Sequence, residues 1–254
     1  MPATFSSDHV ALVTGASLGI GAATARELAK QGARVAVHYN SSKDAADQVV
    51  NAIRAAGGSA EPFQADVSDP AQARALVPAV LQKFGRLDIL VNNAGSLVDR
   101  KGFLEITDDY WTKVMDLNLT SVIWVSQAAA KHMAERGSGA IVNLGSIAGH
   151  NGGGPGAIAY ATSKAAVTCL TKGMAKELVA SGIRVNAVNP GVILTPFHER
   201  FSSEERMNAM VSMIPQGRAG TPEEISGVIA FLASDAAAHI IGESIEINGG
   251  MLMD

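Results

Sequence analysis

Residues 10–21 read V-A-L-V-T-G-A-S-L-G-I-G, and this stretch decides the fold. Val10 to Val13 is a short apolar run, Thr14 to Gly21 is a glycine turn, and Ala22, Ala25, Leu28 and Ala29 follow at helical spacing. Strand, glycine turn and helix start, in that order, form the context in which such a motif marks a dinucleotide site. Gly15 permits the tight turn and Gly19 lets backbone approach a diphosphate. Gly21 lets helix and strand pack closely, with the first amides of the helix facing the anion.

The same alternation runs outward from this start. Gly32 stops the first helix before a strand over Arg34 to His38, and a helix from Asp44 to Ala56 stops at Gly57-Gly58. A third strand, Ala60 to Gln64, leads to Asp66-Val67, and Asp69-Pro70 opens a helix through Phe84. Asp88 to Val91 is a buried strand followed by N-N-A-G, Asn92 to Gly95. Thr107-Asp108-Asp109 resembles a cap ahead of a long helical pattern from Trp111 to Met133, with Asn118 inside it. Ala140 to Gly145 and Arg184 to Val188 are the fifth and sixth strands, and Asn189-Pro190-Gly191 ends the latter. No linker-like composition interrupts the pattern, which predicts one α/β domain over residues 1–254. The expected architecture is a Rossmann-type doubly wound parallel sheet of about seven strands, order 3-2-1-4-5-6-7, with helices on both faces.

Open sheets of this kind bind ligands at the C-terminal ends of their strands, so the residues there are the candidate site. After the second strand stand Asn40, Ser41, Ser42 and Lys43, where a site for NAD would carry a carboxylate for the ribose 2′-hydroxyl. Hydroxyls and a cation receive a 2′-phosphate instead, which predicts NADP(H) preference with NAD(H) as the alternative. A competing reading makes Ser42 a helix cap and Lys43 a solvated cation. Asp66 either accepts from an adenine amino group or simply ends its strand. Asn92 and Asn93 suit the crevice and a ribose. Asn118 is disfavoured mid-helix, and apolar neighbours such as Val114 and Leu119 favour its burial.

Residues 146–164 read S-I-A-G-H-N-G-G-G-P-G-A-I-A-Y-A-T-S-K. With Ala157 to Ala180 helical, Tyr160 and Lys164 share a face, and Ser146 stands at the end of the fifth strand. A tyrosine that exchanges protons near neutrality needs its pKa lowered by about three units, or about 4 kcal/mol. A cation about 4 Å away at an effective dielectric of about 20 supplies a term of that size. The spacing therefore predicts a phenol tuned by the ammonium, without a metal. No H-E-x-x-H or paired Cys/His spacing indicates a metal site.

Composition bounds the remaining choices. The chain is 47% hydrophobic and 17% charged with a formal charge of -4, and no Lys/Arg block forms a footprint for nucleic acid or an anionic membrane. The single cysteine, Cys169, excludes an internal disulfide and is expected to be buried on the apolar side of its helix. The N-terminus has neither a basic nor an apolar leader region, and no run approaches a membrane span, which predicts a soluble, cytoplasmic protein. Residues 196–218 carry Met207, Met210, Val211 and Ile214 at helical spacing, either a lid over an apolar substrate or ordinary core. His150 and His198 are candidates to enter the pocket, although a neutral, hydrogen-bonded loop histidine is the simpler reading of each. The C-terminal methionines need cover, from an oligomer or from a fold-back within the chain.

In order, T-G-x-x-x-G-x-G, N-N-A-G, a mid-helix Asn, Ser, Y-x-x-x-K and P-G-x-x-x-T resemble the short-chain dehydrogenase/reductase family across nearly the full length. The likeness is greatest to 3-oxoacyl-(acyl carrier protein) reductases and the polyol and sugar dehydrogenases similar to them. The resemblance implies Tyr160 as general acid/base, Ser146 as the donor that orients the carbonyl, and Lys164 as a ribose ligand that lowers the tyrosine pKa. Asn118 would hold a water of the proton relay. Gly15, Ser17, Gly19, Ile20 and Gly21 would line the diphosphate, and Asp66 and Val67 the adenine. Asn93, Ala94 and Gly95 would meet ribose, and Pro190, Gly191, Ile193 and Thr195 the nicotinamide end. Leu18 stands between the motif glycines, where NADP(H)-preferring members often carry a basic residue, so the 2′-phosphate would rest on Ser41, Ser42 and Lys43. The loop from Ser146 to Tyr160 is one residue longer than in many close members, which implies a different substrate-side loop. A homotetramer is also implied.

The expected function is NADP(H)-dependent hydride exchange with a ketone or secondary alcohol. An NAD-dependent sugar or polyol dehydrogenase is the first alternative, and a non-catalytic protein that senses dinucleotides is the second.

Overall fold

The computed structural model describes residues 5–253, apart from the side chains of residues 198 and 199. Seven parallel strands form one sheet in the order β3-β2-β1-β4-β5-β6-β7. They are β1 (Val10–Val13), β2 (Arg34–Tyr39), β3 (Ala60–Gln64), β4 (Ile89–Asn92), β5 (Gly139–Leu144), β6 (Ile183–Pro190) and β7 (Ser244–Ile247). The expected sheet is the observed one.

The central strands β1, β4 and β5 are buried on both faces because helices cover both. On one side α1 (Gly19–Lys30), α2 (Lys43–Ala55) and α10 (Pro222–Ala233) bring Leu28, Val50 and Ile229 onto Ala11 and Val13. The alternate residues Val10 and Leu12 face the other layer, where α3 (Pro70–Phe84), α5 (Ser121–Arg136) and α7 (Ile158–Leu178) contribute Leu76, Met133 and Ala175. Local chemistry sets the helix ends. Asp69 caps α3 by accepting from the amides of Ala71 and Gln72, and Gly85 closes it in the left-handed region at φ 79°. Thr221 and Glu224 form a reciprocal capping box on α10.

Three expectations change. The pattern from Trp111 to Met133 is two helices, α4 (Asp108–Met115) and α5, joined by a π-helical turn over Asp116–Thr120. The wider turn places Asn118 inward with its side chain fully buried. Cys169 is exposed and not buried: α7 turns Val167 and Thr171 into the protein, and Cys169 lies on the opposite side. Asp88 lies just before β4, where its carboxylate accepts from the Val10 amide and pairs with Arg86 and Arg136. No helix among the described residues is long and apolar enough to cross a membrane.

Three short helices complete the chain: α6 (Ala148–Asn151), α8 (Pro196–Phe201) and α9 (Glu204–Ser212). The stripe on α9 serves two purposes. Met207, Met210 and Val211 pack against Val192, Ile214 and Ala219, and Met210 and Met213 also face the cleft described below. Met251 folds back onto the same cluster, so part of the C-terminal cover comes from the chain itself, while Met253 stays exposed.

Candidate active site

A cavity of about 630 Å³ opens beyond the C-terminal ends of β1, β4, β5 and β6. Its floor is the glycine turn. Gly15 and Gly19 hold φ of 61° and 54°, a region costly for any residue with a side chain. At Gly21 the constraint is packing, since a Cβ there would stand 2.3 Å from the Gly15 carbonyl oxygen and 2.4 Å from Asn93 Nδ2. Gly21→Ala is expected to cost about 1–3 kcal/mol of stability, read by chemical denaturation. Gly173→Ala on the exposed side of α7, where a Cβ meets nothing within 4 Å, should cost nothing.

Polar contacts fix the turn from beneath. The Asn93 amide donates to the carbonyls of Thr14 at 2.8 Å and Gly15 at 2.9 Å, and Thr14 Oγ1 accepts from the amides of Asn93 and Ala94. His38, buried at the end of β2, accepts from the Gly15 amide through Nδ1 at 2.9 Å. Its Nε2 therefore carries the proton and donates to the Ala65 carbonyl at 3.0 Å. Burial pulls its pKa down to about 4, leaving a neutral ring. The sequence reading took His38 only as the end of a strand; its partners lie in two other segments, so nothing local marked it.

The turn fits a dinucleotide on its own geometry. Helix α1 begins at Gly19 with no acidic residue in its first turn, and Leu18 makes no capping bond. Its leading amides are therefore available to a diphosphate. Gly95 leaves a cradle, since a Cβ there would lie 2.7 Å from Asn118 Oδ1 and 3.4 Å from Lys164 Nζ. Thr195 stands across the cleft, 3.3 Å from where a Gly19 Cβ would be.

Ser146, Tyr160 and Lys164 line the far wall. Ser146 Oγ accepts from the Ala148 amide at 3.1 Å and shares the cavity wall with the Tyr160 hydroxyl. Lys164 is buried and donates to the Leu144 carbonyl at 2.6 Å. Burial pushes the Tyr160 hydroxyl up to about 12, against the smaller opposing effect of the Ser146 side chain, and pulls Lys164 down to about 8. The expected lowering of the tyrosine by the ammonium is thus corrected. Lys164 Nζ lies 5.7 Å from the Tyr160 ring centre and is committed to a backbone carbonyl, and desolvation of the phenolate is the largest effect on the tyrosine.

The cavity unites much of the predicted set. Gly15, Leu18, Gly19 and Ile20 form one end; Asn93, Ala94 and Gly95 the middle; Pro190, Gly191, Ile193 and Thr195 the side facing the catalytic trio. Ser17 and Gly21 support the turn without reaching this surface. Asn40, Ser41 and Ser42 follow β2 beyond its edge; Ser42 makes no capping bond, and Lys43 pairs with Asp47 at 2.5 Å. Asp66 Oδ1 is occupied by the Ser68 amide and hydroxyl, and Val67 is buried. Asn118 also lies off the surface. Its side-chain amide donates to the Ser96 and Val114 carbonyls, both at 2.8 Å, and its oxygen accepts from the Ser96 amide at 3.0 Å. Asn92 donates to Ser126 and Asn143 within the protein, which makes it a structural residue.

His150 Nε2 lies 3.1 Å from Asn189 Nδ2 and 3.2 Å from Glu246 Oε1, a hydrogen-bonded histidine on the short helix α6 and off the cavity wall, not in a loop as expected. The His198 side chain lies outside the described residues. Sequence reasoning missed Arg100, Phe197 and Phe201, all on the cavity wall. Arg100 comes from the irregular loop after β4 and the two phenylalanines from α8, far apart in the chain, so no single local pattern joined them. Among the described residues no cluster of His, Cys, Asp or Glu is arranged to hold a metal.

A parallel sheet with a glycine turn at its switch point, facing a Ser, Tyr and Lys wall, defines a dinucleotide-dependent oxidoreductase. Residues 15–252 match the family model described as enoyl-(acyl carrier protein) reductase. A 3-oxoacyl-[acyl-carrier-protein] reductase of a Synechocystis species is 46% identical over 246 residues, covering 96% of this chain and 97% of that one. The reductase FabG of Staphylococcus aureus is 43% identical over 243 residues, covering 96% and 98%. Among solved structures, a putative NAD(P)-dependent gluconate 5-dehydrogenase from Beutenbergia cavernae with bound NADP superposes with a TM-score of 0.92 at 36% identity, covering 99% of both chains. The chain belongs to the short-chain dehydrogenase/reductase family. It is an oxidoreductase that exchanges a hydride between a nicotinamide dinucleotide and a ketone or secondary alcohol.

Proposed function

We propose that the chain is an NADP(H)-preferring reductase of ketones, acting in the manner of the 3-oxoacyl-(acyl carrier protein) reductases it resembles. The observation that carries this reading is the convergence of Ser146, Tyr160 and Lys164 on one wall of the cavity, with Lys164 held by the Leu144 carbonyl. The nicotinamide, when bound, supplies the hydride. Ser146 holds the carbonyl oxygen, and Tyr160 gives that oxygen its proton as negative charge develops. A phenol with a raised pKa is protonated across the neutral range and donates readily to an alkoxide, which is far more basic. Lys164, anchored by Leu144, would offer its remaining protons to a ribose held at the Gly95 cradle. Asn118 clamps the backbone at Ser96 and so shapes that ribose pocket; with its side chain spent on backbone, a relay water would bind through its main-chain carbonyl.

Preference for NADP(H) is supported by the absence of a carboxylate among Asn40, Ser41 and Ser42, and by the uncommitted Ser42 hydroxyl. Kinetics with both dinucleotides test it: Ser42→Asp should lower kcat/KM with NADPH by about 10- to 100-fold and spare NADH, by like-charge repulsion of the 2′-phosphate. An unchanged ratio would remove Ser42 from the cofactor site. Residues 196–218 form a lid over the substrate end, because Phe197, Phe201, Met210 and Met213 form one wall of the cavity. A homotetramer in the cytoplasm completes the proposal, and light scattering measures the first part of it. The likeness to a gluconate 5-dehydrogenase keeps a sugar-acid or polyol substrate as a second reading. Turnover of β-ketoacyl thioesters against polyols, followed at the reduced nicotinamide absorbance, separates the two.

A further inference from the structure

Arg100 sits in the loop after β4, half-buried, with its guanidinium on the wall of the substrate cavity. Its Nε donates to the Phe201 carbonyl at 2.8 Å and Nη1 to the Pro155 carbonyl at 2.8 Å. Two loops thereby fix the fork, and of its five N–H donors three are left over. No carboxylate among the described residues pairs with the guanidinium. Asp99, the nearest acid in sequence, accepts from the Arg100 backbone amide, and its side chain pairs with Lys101 at 3.2 Å. Further positive charge surrounds it: Arg206 acts on it electrostatically, and Arg200 lines the same wall. A half-buried cation among other cations, without a counter-ion, is costly unless a ligand supplies the charge.

The wall between Arg100 and the catalytic hydroxyls is apolar. The Phe197 ring centre lies 5.7 Å from that of Tyr160, and the Phe201 ring 5.2 Å from Phe197. Phe201 is the residue whose carbonyl holds Arg100. The cavity thus offers a reacting end at Ser146 and Tyr160, an apolar stretch, and a cationic end.

We propose that Arg100 binds an oxyanion of the substrate, so that this enzyme acts on carbonyl compounds bearing a carboxylate or phosphate ester separated from the reacting carbon by an apolar spacer. The inference rests on the oxidoreductase reading and adds the substrate's charge to it. A planar fork presenting parallel donors suits either oxyanion.

The test compares matched substrates. One pair is a linear keto acid and its methyl ester; the other is a β-ketoacyl pantetheine with and without its 4′-phosphate. Wild-type enzyme is expected to favour the charged member of one pair by about 10- to 100-fold in kcat/KM, mainly through KM, the range of a charge-assisted hydrogen bond. The pair that shows the preference identifies the anion. Arg100→Gln should bring that ratio close to one, and Arg100→Lys should keep part of it, since charge survives without the fork. Because Arg100 also ties two loops, a purely fastening role would lower both members of a pair equally and leave the ratio intact, which would overturn the proposal. So would a wild-type enzyme indifferent to charge, a comparison that needs no variant. If the neutral members react and no charge preference exists, this inference alone fails; if no member of either pair reacts, the proposed reductase function fails with it.

Discussion

Tyr160→Phe is expected to lower kcat by about 10²- to 10⁴-fold, the usual worth of a positioned general acid, with dinucleotide affinity nearly unchanged. The substitution removes one oxygen from a half-buried side chain and keeps the ring that contacts Phe197. Binding and catalysis therefore separate: fluorescence titration of NADPH should look native while turnover collapses. The raised pKa adds a direction. With the hydroxyl pushed up to about 12, the acid form needed for reduction is present throughout the neutral range, and the reduction rate should show no tyrosine titration between neutral and mildly alkaline pH. Oxidation needs the conjugate base, so its rate should climb with pH over the same window. A Tyr160→Phe enzyme that keeps its turnover would remove the phenol from the mechanism and favour a protein that only senses dinucleotides.

How legible the site was in the sequence follows from how local each interaction is. The glycine turn and the strand and helix alternation depend on spacing within a dozen residues, and both stand as read. The roles of Gly15 in turning and of Gly21 in close packing are found in the structure as conformational and contact constraints. Strand β7 gave only a weak local signal, because its polar and apolar alternation lasts four residues and all of them are half-buried. The π-helical turn at Asn118 was visible only as a misplaced asparagine, since spacing over a long helical run does not register one inserted residue. The tyrosine pKa was misjudged for another reason: sequence supplies the neighbouring charge but not the depth of burial, and burial is the larger effect here. Arg100 shows the limit most directly. Its significance lies in having no acidic partner where the fold places it.

His38 supplies the second large effect, a loss of stability in mild acid. The neutral ring is required from both sides: Nδ1 accepts from the Gly15 amide, and Nε2 donates to the Ala65 carbonyl. A proton on Nδ1 would set donor against donor beneath the glycine turn, in a buried position where desolvation of the charge outweighs the opposing effects of the Ala65 hydrogen bond and of Asp66. The folded pKa of about 4 lies below the unfolded value of 6.5. Between these values the unfolded chain binds more protons, so stability is fully present above the unfolded pKa and is lost as pH falls toward the folded one. From pH 7 to pH 5 the expected loss from this group is about 2 kcal/mol. Urea denaturation at the two pH values measures it. His38→Asn, which keeps a side-chain acceptor but does not titrate, should flatten the dependence by that amount at some cost in stability at pH 7. An equal slope in both proteins would place the acid sensitivity elsewhere. Because the Gly15 amide donates to the His38 ring and the Ala16 amide to the His38 backbone carbonyl at 2.7 Å, protonation should also loosen the turn itself. Dinucleotide affinity should therefore weaken over the same pH window in the wild type and hold steadier in the variant.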